Sequence, residues 1–374
     1  MRRLVLPLCA SALIGCAGGP APAPRHELLV GCSACAGVLR LSFDPATGLL
    51  REAPLQVLPA SKASWLTLSA DGRRLFAIGE DRISLFQRGV DGRFEELGQQ
   101  PSQGAEAVHA SLTADGRQLL VAHYSSKPQP GGSLSVLLVA DGLRPVVQRI
   151  VEAFTRPGSE RQGSSHMHSV MLGSDGRAHA CDLGADRIYA YDYRPQRPDQ
   201  PLAPAEPPFL QLPAGSGPRH LRFDAAGRHA YLTLEMSNQV ALLDVGARGL
   251  QLRELYHLDP PFAAGDRRLG ALHLSADGRF LYVSRRGVEN QLVVYAVGDD
   301  GGLRELQRRD SGGVEPREFA LAPDGRFLLV ANQQSDRLTV LRRDPQSGLL
   351  GEEVQALRLS TPTALKFIEG GTHD

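Results

Sequence analysis

The feature that most constrains this chain is a short turn that keeps returning. Asp-Gly-Arg, or a near variant, stands at Asp71-Gly72-Arg73, Asp115-Gly116-Arg117, Asp175-Gly176-Arg177, Ala226-Gly227-Arg228, Asp277-Gly278-Arg279 and Asp324-Gly325-Arg326. The glycines follow one another at steps of 44 to 60 residues. Glycine suits a turn position that needs positive φ, and aspartate bonds to its own backbone there. Each turn is preceded by a strand with alternating apolar residues, such as Leu272-His273-Leu274, and followed by a strongly apolar one, such as Phe327-Leu328-Leu329-Val330. A third strand and a weaker fourth come next, as at residues 291–295 and 303–306. Four strands in a unit of this length make a propeller blade.

Six such units run from about residue 61 to 360. A seventh is assembled from both ends: residues 27–31, 38–43 and 55–58 supply three strands, and 363–368 supplies the innermost. The expected fold is therefore all-β, a seven-bladed propeller of four-stranded antiparallel blades, its ring closed by N- and C-terminal strands sharing one blade. A β-sandwich or a solenoid would leave that last strand without a place, and closure also protects sheet edges. Three insertions break the regularity. Residues 125–132 form a loop, 156–165 lead into His166-Met167-His168 and are read as a functional lid, and the proline-rich stretch 194–208 is read as extended padding at the rim.

Lys plus Arg and Asp plus Glu both number 41, and that balance points away from nucleic acid or an acidic membrane surface as a partner. The N-terminus reads as an export signal over residues 1–15: a basic start, then an apolar run too short to span a bilayer. It ends in Leu13-Ile14-Gly15-Cys16, which resembles a lipoprotein signal with lipid on Cys16; an ordinary signal peptide is the alternative. Residues 16–26 read as a tether and 27–374 as one propeller domain, monomeric and anchored in the bacterial envelope, on the periplasmic side of the outer membrane. Cys32 and Cys35 have the spacing of a local disulfide or of two free thiols, and Cys181 reads as a core thiol.

The starts of successive innermost strands carry His109, His168, Arg219, His273 and Arg317. Innermost strands line the central channel, so these residues are expected to converge at one mouth. Glu235 and Arg286 close second strands, and Glu235 shares its unit with Arg219, a neighbour that would keep the carboxylate ionised. His166 lies at a loop junction, no third ligand accompanies it and His168, and no metal or other cofactor is expected.

At these residues the chain resembles the seven-bladed propeller lactonases, the family of bacterial 6-phosphogluconolactonase and fungal carboxymuconate lactonising enzyme. The resemblance spans residues 28–368. It is carried by SERQ at 159–162, HMHSV at 166–170, DLGADR at 182–187, GPRH at 217–220, Glu235, DGRFLYVS at 277–284 with Arg286, and the segment 315–333. It implies catalytic roles for His168, Arg219, Glu235 and Arg286, with Arg285 as rival to Arg286; His109, His273, Arg285 and Arg317 are read beside them as substrate-binding residues at the channel mouth. It also implies hydrolysis of a lactone: Glu235 as general base, His168 as acid or shuttle (or the reverse), and the arginines on the substrate anion and oxyanion. No GxSxG elbow is present, which argues against an acyl-enzyme. Phosphorylated gluconolactone is cytoplasmic, so an exported member is expected to take an unphosphorylated sugar lactone or another carboxylated lactone. A non-enzymatic envelope platform for a protein or glycan partner is the alternative.

Overall fold

The recurring turn works as its sequence suggests. In the computed structural model, which describes residues 26–60, 62–125, 131–156, 158–259 and 265–369, Gly72, Gly116, Gly176, Gly227, Gly278 and Gly325 all sit at φ between 64° and 75°. The aspartate Oδ1 accepts from the backbone N–H two residues on, at Arg73, Arg117, Arg177, Arg279 and Arg326. Where the turn has Ala226 instead, Asp224 moves into the role and accepts from Arg228 N at 2.8 Å.

These turns join the first two strands of six of the blades. The described residues form seven four-stranded antiparallel sheets. Blade 1 comprises Trp65–Leu68, Arg74–Ile78, Arg82–Arg88 and Phe94–Pro101. Blade 2 comprises Ala105–Leu112, Gln118–Ser125, Ser133–Val139 and Leu143–Val151. Blade 3 is Met167–Leu172, Arg177–Asp182, Arg187–Tyr193 and Leu202–Gln211; blade 4 is Pro218–Phe223, His229–Leu234, Gln239–Gly246 and Gly249–His257. Blade 5 is Arg267–Leu274, Phe280–Gly287, Gln291–Val297 and Leu303–Asp310; blade 6 is Pro316–Leu321, Phe327–Asn332, Arg337–Arg343 and Leu350–Arg358. Blade 7 takes its innermost strand, Pro362–Glu369, from the C-terminus and adds His26–Cys32, Val38–Phe43 and Gln56–Leu58, with Leu28 opposite Phe367 and Val30 opposite Leu365.

The core explains why the middle strands are apolar on both faces. It is seven clusters, each filling the gap between two neighbouring blades. Phe76 and Ile78 of blade 1, for example, pack on Leu119 and Val121 of blade 2. Phe43 of blade 7 packs edge-on against Phe327 of blade 6 and so completes the ring. Burial on both faces takes the central residues of the middle strands out of water, which is the main stabilising term for such a sheet.

The proline-rich insertion differs from the reading of it as padding. Residues 202–211 are the outermost strand of blade 3, pairing Leu202 with Tyr193 and Gln211 with Arg187. Prolines are tolerated there because the outer edge of that strand has no further partner to supply. Cys32 and Cys35 are joined in a disulfide at the bend between the second and third strands of blade 7, and Cys181 is buried and free. Residues 1–25, with Cys16, the signal and most of the tether, lie outside the described residues.

Candidate active site

The first innermost strands run from one mouth of the channel to the other. Their starts and the bends between second and third strands frame one mouth; the Asp-Gly-Arg turns frame the other. At the first mouth is a cavity of about 510 Å³, lined by His168, Glu235, Arg286, Arg317, Glu315 and Arg268 from blades 3 to 6, together with Tyr124 and Arg161.

Glu235 is the centre of this cavity. Its chain position, just past the second strand of blade 4, is fixed by its N–H donating to Gly217 O at 2.8 Å. Oε2 accepts from Arg219 Nε at 3.1 Å and lies 2.9 Å from Arg286 Nη2; Oε1 accepts from Arg161 Nη2 at 2.6 Å. Burial alone would raise the carboxyl, but Arg286, Arg219 and Arg161 outweigh it and hold Glu235 far below the usual carboxylate range. Arg286 also donates to Glu315 Oε1 at 2.8 Å and to Leu269 O at 2.9 Å, and Arg268 reaches Glu315 Oε2 at 3.2 Å. Glu315 takes a left-handed φ of 61°, an uncommon setting for a glutamate, with its N–H bound by Asn290.

His168 begins the first strand of blade 3 and is 6% exposed. Burial and then Arg219 push its imidazole well below the ordinary histidine range, against the pull of Glu235, so it is neutral at pH 7. Nδ1 is buried without a hydrogen-bond partner among the described residues. Tyr124 stands edge-on to this ring at 6.0 Å. Tyr124 also stacks on His166 at 4.3 Å, and a ring nitrogen of His166 lies 2.8 Å from the Tyr124 carbonyl oxygen, so His166 supports the wall.

Arg161 was not foreseen as a site residue. It arrives on the loop 156–165, which is pinned down, contrary to its reading as a lid. Thr155 and Ser164 bridge its base. Gln162 donates to Leu183 O and Asp186 Oδ1 at 2.8 and 2.7 Å, and Arg156 donates to Asp186 Oδ2. Asp182 accepts from Ser165 Oγ and from the N–H groups of His166, Gly184 and Ala185. Asp186 also takes Gly215 and Gly217 N–H, so the same carboxylate ties the loop to the start of the strand that carries Arg219.

The expected convergence of five polar residues is corrected by register. His168, Arg219 and Arg317 each stand eight residues before their turn glycine. His109 stands seven before its own and His273 only five, so both lie deeper. His109 packs in mid-channel against Trp65 at 4.3 Å and His220 at 5.8 Å. His273 lies at the opposite mouth, its Nε2 2.6 Å from Glu318 Oε1. In blade 5 the position equivalent to His168 is Gly270, where a Cβ would stand 2.3 Å from Ser284 Oγ and 3.3 Å from Arg286 Nε. The missing side chain leaves room for Arg286. Arg285, the rival, turns to the other face of its strand, pairs with Asp259 and lies 3.0 Å from Glu289. It does not line the cavity.

Of the cations in the cavity wall, Arg161, Arg268 and Arg286 are ion-paired with glutamates, as is the buried Arg219 that meets Glu235, and Lys62 pairs with Glu80 at the rim. Arg317 has no ion pair among the described residues and faces the open volume. Among the described residues there is no cluster of His, Cys, Asp and Glu suited to a metal ion.

The pattern of the family described as lactonase, 7-bladed beta-propeller, matches residues 27–367. The chain belongs to that family. The 6-phosphogluconolactonase of Formosa agariphila is 29% identical to it over 322 residues, which cover 82% of this chain and 88% of the relative. That of Bacillus subtilis is 27% identical over 343 residues, covering 89% and 94%. Among solved structures, the periplasmic gluconolactonase of Pseudomonas aeruginosa superposes with a TM-score of 0.87 at 42% identity, over 93% of this chain and all of the other. The chain is accordingly a lactonase, a hydrolase of cyclic esters.

Proposed function

We propose that this lactonase opens an unphosphorylated sugar lactone of the gluconolactone type, and that it does so in the cell envelope. The observation that carries the substrate is the charge arithmetic of the cavity. Its arginines are consumed by Glu235 and Glu315, and Arg317 is left to meet the ligand. One guanidinium matches a carbonyl that becomes an oxyanion. A dianionic phosphate calls for a cluster of uncommitted cations. The relative named periplasmic gluconolactonase supports the same substrate and location.

The geometry favours the exchange of the roles first assigned to the acid and the base. Both Glu235 oxygens are occupied by arginines, so little lone-pair capacity remains for a water, and its proton affinity is low. His168 is neutral and faces the cavity. In the proposed reaction a water attacks the lactone carbonyl while His168 takes its proton. Arg317 stabilises the tetrahedral oxyanion. As the ring C–O bond breaks, His168 returns that proton to the leaving alkoxide, giving the hydroxy acid. Glu235 remains ionised throughout and stabilises the transient imidazolium. Arg219 and Arg286 are positioning residues that fix Glu235, and Tyr124 and Arg161 close the wall beside it.

The test is the rate of acid release from δ-gluconolactone by the mature protein, above the buffer rate and at fixed pH. His168→Gln is expected to abolish most of the enzymatic excess. A wild-type rate equal to buffer, or a His168→Gln rate equal to wild type, overturns the reading.

A further inference from the structure

The channel has a second mouth, and its side chains do not balance. A cavity of about 310 Å³ opens there among the Asp-Gly-Arg turns, with His273, Phe319, Lys366 and Phe367 in its wall. Trp65, His109 and His220 pack together between it and the upper site. Two cations stand against the same Trp65 ring: the Lys366 ammonium at 5.5 Å and the Arg222 guanidinium at 6.0 Å. Arg222 spends its hydrogen bonds on the Leu221 carbonyl and on Met171 Sδ. Neither cation is ion-paired with a carboxylate among the described residues. Glu318 is the carboxylate whose charge acts on both. Its Oε1 is taken by His273 and by the N–H of Phe319, while Oε2 is buried with no hydrogen-bond partner among the described residues.

Cations removed from water without a matching anion are costly. Burial first, and then Arg222, against Glu318, pull the Lys366 amine down to about 8. The layer therefore offers two under-compensated, partly exposed cations beside an aromatic face, with Lys366 and the partly exposed His273 in the cavity wall. That set fits a ligand with an anionic head for Lys366 and Arg222 and a neighbouring hydroxyl to meet His273. We infer that the second mouth is a binding site for a small hydroxycarboxylate, separate from the catalytic cavity. This is also the chemical class that lactone opening yields, so the site is placed to sense product. The inference does not depend on the roles given to His168 and Glu235.

Trp65 is the only tryptophan in the chain and lies against both cations, so its emission reports occupancy directly. The experiment titrates gluconate into the mature protein at constant ionic strength and follows that emission for wild type, Lys366→Met and Arg317→Met. Expected are a saturable change in wild type and Arg317→Met, and a midpoint raised about tenfold or more in Lys366→Met. Inorganic phosphate, titrated in the same way, is expected to bind at least about tenfold more weakly than gluconate. No saturable change in wild type, a Lys366→Met curve equal to wild type, or a loss confined to Arg317→Met overturns the site. Phosphate binding as tight as gluconate overturns the hydroxycarboxylate assignment. Met keeps the lysine stem and deletes an unpaired charge, so the variant is expected to melt no lower than wild type and to keep its lactone hydrolysis. Gluconate is expected to raise the melting temperature of wild type but not that of Lys366→Met.

Discussion

Replacing Glu235 by Gln tests the electrostatic logic of the cavity more severely than any other single change. The carboxylate is 3% exposed and compensates Arg219, which is 2% exposed, as well as Arg286 and the half-buried Arg161. Arg286 keeps Glu315 after the substitution, and Arg161 can turn to water, but Arg219 loses its carboxylate partner. Removing one member of a buried ion pair costs about 3–5 kcal/mol. For a chain this long, with an unfolding entropy of about 2.1 cal/mol/K per residue, that corresponds to a fall of roughly 4–7 °C in melting temperature. The pH dependence supplies an independent check. Glu235 has a folded pKa depressed below its ordinary 4.5, so its contribution is complete above that value and is lost as pH falls below it. The gap between wild type and Glu235→Gln should therefore be constant from pH 7.5 to about 5 and then shrink by about 1.4 kcal/mol per pH unit. The buried, neutral His109, His168 and His220 also have depressed values, so they weaken both proteins below about pH 6.5 in parallel. The assay is thermal unfolding by circular dichroism at a series of pH values, with urea midpoints at pH 7.5 and pH 4. A variant as stable as wild type at pH 7.5, or a gap that does not narrow below pH 4.5, refutes the reasoning.

Other outcomes follow from the same geometry. His168→Gln should lower kcat by about 10²–10⁴-fold while leaving KM within a few-fold, because it removes the proton carrier and spares Arg317; a change confined to KM would count against it. Arg161→Met should leave the melting temperature almost unchanged, since Gln162 and Arg156 still anchor the loop; a fall as large as that of Glu235→Gln in the same unfolding assay would count against it. Cys16→Ser should move the protein from the membrane fraction to the soluble fraction on cell fractionation, and retention in the membrane would argue against a lipid anchor.

The architecture was legible because the Asp-Gly-Arg turn is enforced locally: a positive φ at glycine and an aspartate bond to the backbone recur without any help from distant residues. The leftover strand at residues 362–369 then demanded a closed ring. The site was only partly legible. Glu235, Arg219 and Arg286 stand at strand ends whose register follows from their blades, and they meet in the structure. His273 was misplaced because it was matched as the polar residue of its strand and not by its distance from the turn glycine; counted that way, Gly270 is the equivalent of His168. Arg161 belongs to a loop between blades and reaches Glu235 only through the three-dimensional path set by Asp182 and Asp186. Strand periodicity carries no information about such a residue; the SERQ segment was the one available sign. Arg285 and Arg286 could not be separated by composition, but alternation of side chains along a strand separates them at once, with one on Asp259 and the other on Glu235.

The most direct test of the central claim is the ratio of kcat/KM for δ-gluconolactone to that for its 6-phosphate, measured on the mature protein at pH 7 by acid release. A cavity whose arginines are committed to Glu235 and Glu315, with Arg317 left for the ligand, predicts a ratio above about ten, or more than 1.4 kcal/mol of discrimination in favour of the uncharged sugar. A ratio below one, or a 6-phosphate activity that collapses when Arg317 is replaced by Met while gluconolactone turnover is unaffected, would contradict it.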